Sequence, residues 1–294
     1  TALPWWLYAT GFAIGFAGFM LLNQQMKLRA DLLIVWRGFV LSIALAPIML
    51  LVDIPDQPTF FLAVIAVGFV ACFTDMRVLK VSAEIGGGPL SRLLPIGVWI
   101  SFSIWSVIDA NFRDGLVADP LRSLGIMGCL ALCVAAAAML KNDAVSRSAI
   151  PQAMPIILGG ALIDTLNKYA MSHAAPDQVL SAGLAYIWIQ NLVIASLMVS
   201  RMAIDRNWQW RDDLFQRRMV LTGLTFAFLV GFVTLVRNFA MATTPNPGYV
   251  AAIGLGATVV IIVFNRWRGV PDKSNIKAGL AFVVSAAILV LLTP

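Results

Sequence analysis

Asp164 and Lys168 stand four residues apart inside an apolar run, with Asn167 between them. At helical spacing the two charges share one face. Two readings are open for that face: a self-neutralising pair turned into a bundle, or, with Asn167, part of a site for a polar solute. Arg37, Asp75, Arg92 and Arg237 also interrupt apolar stretches. A charge inside a membrane segment costs about 2.5–3.5 kcal/mol on insertion scales and ordinarily faces a cavity or a partner. Arg37 and Arg92 fall within about two turns of a segment end, so snorkelling to the interface is the competing reading. Asp75 has Arg77 and Lys80 beyond it, so it is read either as a structural ion pair or as a ligand contact. Asn23, Trp99, Asn238 and Tyr249 complete the set of ten substrate-binding candidates, with Asp75, Arg92, Asp164, Asn167, Lys168 and Arg237. Three cations (Arg92, Lys168, Arg237) exceed two acids (Asp75, Asp164). This balance favours a substrate with a carboxylate or phosphate, zwitterions included. If transport is coupled to protons, Asp75 or Asp164 is the carrier.

Other chemistry is not expected. No nucleophile sits with a base, so no catalytic residue and no enzyme activity is expected. Cys72, Cys129 and Cys133 lie in apolar runs and read as small buried hydrophobes. No Cys/His ligand spacing is present, so no metal and no cofactor is expected. Gly86-Gly87-Gly88 lacks a following Gly-Lys-Ser/Thr and reads as a helix start, not a phosphate loop. His173, the one histidine, reads as solvated.

The segments that position these residues are long and apolar. The chain is 60% hydrophobic and 12% charged, with mean hydropathy +0.86 over 294 residues. Soluble domains carry roughly 25% charged residues. Runs of about 20 apolar residues fit helical spans, not barrel strands. The expectation is an all-α membrane protein with ten transmembrane helices near 5–23, 32–52, 59–79, 88–108, 120–140, 150–171, 179–200, 218–241, 247–265 and 275–293. Thr1 to Trp6 lacks a basic region, so a cleavable signal peptide is not expected. Trp5, Trp6, Trp208, Trp210 and Trp267 read as interface anchors, and the 201–217 connection as an interfacial segment. Fifteen Lys and Arg residues fall in the 1–2, 3–4, 5–6, 7–8 and 9–10 connections, against Arg113 and Arg122 on the other side. This places the fifteen in the cytoplasm and both termini outside. The net charge of +6 follows from these loops and does not call for nucleic acid.

The chain carries an internal echo. Gly68-Phe69-Val70 recurs as Gly231-Phe232-Val233, 163 residues later, and each copy turns polar downstream, at Thr74-Asp75 and Arg237-Asn238. Leu22-Asn23 and Leu166-Asn167 echo each other, as do Gly88-Pro89 and Pro247-Gly248. These marks divide the chain into two five-helix repeats, 1–144 and 145–294. A unit of five spans, duplicated in tandem, enters the membrane from opposite sides. The result is two inverted repeats around a central cavity, with a substrate site near mid-depth.

Several segments resemble the drug/metabolite transporter superfamily in its ten-span EamA-like branch. Trp36-Arg37-Gly38-Phe39 is similar to its second-span Arg-Phe element, and Gly88-Pro89-Leu90-Ser91-Arg92-Leu93-Leu94-Pro95 to its fourth-span segment. The stretches 119–125 and 272–279 are similar to its entries into spans five and ten. The family's Gly-Glu pair before those entries is replaced by Phe112-Arg113-Asp114-Gly115 and Arg266-Trp267-Arg268-Gly269. The family more often has cytoplasmic termini, against the charge count here. The resemblance implies a cavity lined by spans one, three, four, six, eight and nine. It also implies secondary transport, by alternating access, of a small polar or amphipathic metabolite, anionic or zwitterionic. Alternatives are a flippase for a lipid or lipid-linked headgroup, or a structural membrane protein. The expected setting is the plasma (inner) membrane, with membrane lipid and a small-molecule substrate as partners, as a monomer or homodimer.

Overall fold

The computed structural model describes residues 3–26, 28–85, 93–140, 149–204, 210–269 and 274–293. The side chains of Asn23, Gln24, Ser82, Ala83, Glu84, Ile85, Ala149 and Arg211 are not among those described. The described chain is helical: α1 (Trp5–Met26), α2 (Ala30–Met49), α3 (Pro58–Ile85), α4 (Ile96–Ile108), α5 (Ala110–Ala118), α6 (Pro120–Met139), α7 (Ala149–Met171), α8 (Val179–Ile204), α9 (Trp210–Leu214), α10 (Arg217–Thr243), α11 (Pro247–Gly254), α12 (Gly256–Trp267) and α13 (Ile276–Leu292). Among the described residues, seven segments are long and apolar enough to cross a membrane: Trp5–Leu22, Ala30–Met49, Pro58–Val81, Pro120–Met139, Val179–Ile204, Arg217–Thr243 and Pro247–Trp267. The protein is therefore an all-α, multi-pass membrane protein. Of the other three expected spans, 150–171 and 275–293 fall on α7 and α13, while α4 covers only the second part of 88–108, whose residues 88–92 lie outside the described residues. Of these, α7 has 23 residues, about 34 Å at helical rise. Asp164 and Lys168 lower its hydropathy.

Local chemistry explains the boundaries. Pro120 and Pro247 open α6 and α11 at the position where the missing N–H costs nothing. Asp119 accepts from Arg122 N at 3.1 Å, Asn246 from Gly248 N at 2.8 Å and Asn275 from Ala278 N at 3.2 Å. Each cap supplies an acceptor for an otherwise unpaired first-turn N–H. The sequence stretches read as entries into spans five and ten thus do begin helices. The connection after α4 was not foreseen. Asp109 ends α4 and caps α5, accepting from Phe112 N at 3.1 Å. The expected ninth span is interrupted at Leu255, between α11 and α12.

The principal packings come in matched sets. Helix α1 runs against α10, and α3 against α7. Helix α2 meets α10 as α3 meets α8. Helix α1 meets α11 and α12 as α7 meets α4. The pairs α2–α8, α4–α11 and α6–α13 complete the set. At one end Arg29 pairs with Asp213 at 2.9 Å, and Arg218 donates to Met26 O at 3.1 Å. At the other, Arg122 donates to Leu292 O at 2.8 Å, and Thr59 Oγ1 lies 3.0 Å from His173 Nε2. His173 is thus engaged with Thr59 and with Tyr169 O rather than merely solvated.

Both glycines of the Gly-Phe-Val echo sit at close helix crossings. A Cβ on Gly68 would lie 2.7 Å from Val193 Cβ and 3.1 Å from Gln190 O on α8. A Cβ on Gly231 would lie 2.8 Å from Leu41 Cδ2 on α2. The first neighbours are a branched Cβ and backbone, and the second is the free end of a leucine. Gly68→Ala is expected to destabilise by about 1–3 kcal/mol, the usual range for overpacking, and Gly231→Ala by less. Thermal midpoints in detergent check this; equal midpoints for Gly68→Ala and wild type would contradict the close crossing.

Three tryptophan and cysteine readings can be compared directly. Trp5, expected at an interface, is buried, its ring 6.0 Å from that of Tyr249. The packing of α1 on α11 covers it. Trp267 is exposed, and all three cysteines are buried and free. Gly86-Gly87-Gly88, Arg92, Trp208 and the 141–148 junction lie outside the described residues.

Candidate functional site

A cavity of about 240 Å³ lies between the helices, lined from α1, α2, α3, α4, α7, α8, α10 and α11. Among the described residues, four charged side chains line it: Arg37, Asp75, Asp164 and Arg237. They form two ion pairs, one within each half of the sequence.

Arg37 is bound to Asp75 through Nη1. Its Nε donates to Asn191 Oδ1 at 3.1 Å, and Asn191 donates in turn to Ile187 O at 2.7 Å. The second bond turns the Asn191 oxygen towards the arginine. Arg37 is 4% exposed, so it does not snorkel. Seven residues into α2, about 10 Å from the helix start, it is held sideways by α3 and α8. Asp75 is paired across helices, not with Arg77 or Lys80 as its sequence neighbours suggested.

Arg237 is bound to Asp164 through Nη2. Its guanidinium lies 5.3 Å from the Phe12 ring centroid, a cation–π contact to the other half of the chain. Arg237 is twenty residues into α10, about 30 Å from the helix start. That start shares an end with Arg29 and Met26. The two pairs therefore sit at different depths of one cavity.

The ten sequence candidates divide. Asp75, Asp164 and Arg237 line the cavity together. Lys168 does not line it and does not pair with Asp164. It is buried, with Nζ 5.7 Å from the Trp105 ring centroid. Asn167 donates to Asn238 Oδ1 at 3.0 Å, and Asn238 donates to Gly183 O at 3.3 Å. These amides tie α7, α10 and α8 together away from the cavity lining. Trp99 packs edge-on against Phe102, and Tyr249 is buried among Trp5, Phe102 and Phe112. Arg92 and the Asn23 side chain lie outside the described residues.

The lining also holds residues that the sequence did not single out. Phe12, Phe16 and Phe19 form one wall, with stacked neighbours 5.7 and 5.6 Å apart. Their spacing of four and three residues is a helical stripe, a signal present in the sequence but shared with ordinary core packing. Tyr186 and Gln190 bring α8, and Arg37 brings α2, into a lining expected from six other spans.

Among the described residues the charged lining is balanced, two arginines against two aspartates. Among the described residues, the cationic excess read from the sequence is not on the cavity wall. Chemically the site offers two anchored charge pairs and an aromatic face, and so suits a small solute with polar and apolar parts. No protein-family model matches the chain, and no curated protein matches it.

Proposed function

We propose that this protein is a secondary transporter that moves a small polar or amphipathic metabolite by alternating access. The observation that carries the reading is one cavity lined by two ion pairs, one from each half of the sequence. A buried charge is costly without a partner. Intramembrane charges facing a cavity are the usual mark of a permeation path. A structural bundle has no use for four of them on one wall.

The matched helix packings support two five-helix repeats, 1–144 and 145–294, and ten spans. Exchanging first-half and second-half spans carries α1–α10 onto α7–α3 and α2–α10 onto α8–α3. Inverted repeats with the site at their interface are the architecture of many such carriers. The segments similar to EamA-like proteins agree with this reading. A volume of about 240 Å³ lies below the roughly 300–1,000 Å³ of drug-sized pockets, which weighs against a lipid-linked headgroup.

Counterflow in proteoliposomes loaded with mixed amino and organic acids tests the function. Uptake of at least one labelled solute, absent from empty vesicles, is expected. Scrambling of labelled phospholipid with no solute counterflow would replace this reading with lipid flipping. The orientation from charge places Phe215, which is exposed, on the cytoplasmic side with Arg29 and Arg218. A single cysteine there is expected to resist an impermeant thiol reagent added outside intact cells, and labelling would reverse the topology.

A further inference from the structure

Arg77 and Lys80 follow Asp75 in α3, but Asp75 is held by Arg37 on the wall of the central cavity. By helical period Arg77 is turned to the other side of α3. There the two cations line a second cavity, of about 510 Å³, at the seam of α3 with α7. Phe73 and Met76 of α3 and Gln152 and Pro155 of α7 share that lining, and among the described residues no acidic side chain does. Arg77 is exposed and has no hydrogen-bond or ion-pair partner among the described residues. Arg201 reaches the same rim from α8, where its Nη1 donates to Met76 Sδ at 3.1 Å, a weak acceptor for a guanidinium. Depth is the second observation. The apolar span of α3 runs from Pro58 to Val81. Arg77 comes nineteen residues after Pro58, about 28 Å at helical rise, against a hydrocarbon core of about 30 Å. Arg77 and Lys80 therefore stand at the level of lipid phosphates. Phe73, one turn nearer mid-membrane on the same face and 63% exposed, stands at the level of acyl chains.

We propose that this seam pocket binds the headgroup of an anionic phospholipid. The phosphate takes the planar fork of Arg77, the geometry that suits arginine to phosphate, with Lys80 as a second positive charge. Gln152 adds an amide from α7, and the first acyl chain runs down over Phe73 and Pro155. Basic pockets between spans at the cytoplasmic boundary are where anionic headgroups are held. The charge-based orientation puts this one in the cytoplasmic leaflet. The lipid neutralises a guanidinium that no described protein group neutralises. It also touches both halves of the sequence at once, through α3 and α7. The assignment requires that α3 span the membrane and takes nothing from the transport reading.

The test places the purified full chain in nanodiscs of dioleoylphosphatidylcholine with a rising fraction of dioleoylphosphatidylglycerol and follows the thermal midpoint. The anionic lipid is expected to raise the midpoint and to saturate. In Arg77→Gln/Lys80→Gln the midpoint in pure phosphatidylcholine is expected to hold, since both side chains are exposed. The half-saturating fraction of phosphatidylglycerol is expected to rise at least tenfold. The control Arg217→Gln/Arg266→Gln removes the same charge from the same end of the bundle, at exposed residues that do not line the pocket. It is expected to shift that fraction less than threefold. Equal shifts in the two double variants would mean a general surface-charge effect and overturn the site. So would equal midpoints in the two lipids, or a lower phosphatidylcholine midpoint in Arg77→Gln/Lys80→Gln, the mark of a merely structural pair. Inorganic phosphate added to phosphatidylcholine nanodiscs is expected to leave the midpoint unchanged. A rise matching that of phosphatidylglycerol would give the pocket to a soluble anion instead. None of these readings depends on flux, so the site and the transport reading fail separately.

Discussion

Arg237→Ala is expected to lower stability by about 3–5 kcal/mol, the range for removing one partner of a buried ion pair, and to abolish transport. Asp164 has a side chain only 15% exposed, and Arg237 is its ion-pair partner among the described residues. Without the guanidinium, a carboxylate is left against α10 and the Phe12 wall. Two further variants separate charge from shape. Arg237→Lys is expected to restore little, because lysine cannot reproduce the planar fork that binds Asp164 and covers Phe12 together. The double variant Asp164→Leu/Arg237→Met is expected to recover most of the lost midpoint, since a buried pair replaced by apolar groups is often neutral or stabilising. It is not expected to recover transport. Thermal midpoints and counterflow for wild type, Asp164→Leu, Arg237→Met and the double variant close a double-mutant cycle. Additive losses in that cycle would mean that the two side chains do not act as a pair.

Asp75→Ala is the second large effect, again about 3–5 kcal/mol if Arg37 keeps its charge. Arg37 is more deeply buried than Arg237, and Asn191 alone cannot neutralise it. The more informative variant is Asp75→Asn, which keeps shape and hydrogen bonding while removing the charge. It is expected to fold with a moderate loss of midpoint and to lose flux. If protons are coupled, Asp75→Asn or Asp164→Asn also flattens the dependence of uptake on an imposed pH gradient. Unchanged pH dependence in both variants would remove the carboxylates from coupling.

The apolar segments were legible because a span of about 20 apolar residues has few soluble counterparts. Helix entries at Asp119 and Asn275 were legible because caps are local chemistry. Interior charges were legible as important, but their partners were not. Asp164 and Lys168 share a face by helical period, yet Asp164 binds Arg237, 73 residues away in sequence. Lys168, one turn further on, meets Trp105 on α4. Which partner wins is set by neighbouring helices, and sequence spacing carries none of that. Snorkelling stayed open for Arg37 because its distance from the span end was visible and the covering helices α3 and α8 were not. The Phe12, Phe16 and Phe19 wall was hidden for the opposite reason: an aromatic stripe in an apolar helix is what a core also looks like. The Gly-Phe-Val echo was visible as text. Its physical meaning, two close crossings against α8 and α2, needed the packing.

The account stands or falls on whether the cavity opens to both sides in turn. Single cysteines at Val78 on α3 and Thr234 on α10, both lining it, can be placed in a background lacking Cys72, Cys129 and Cys133. Right-side-out and inside-out vesicles are then exposed to an impermeant thiol reagent. Alternating access predicts that each cysteine is labelled from both faces, and that locking one face open by crosslinking stops labelling from the other. Labelling of both cysteines from one face only, unaltered by any crosslink, would contradict the central claim.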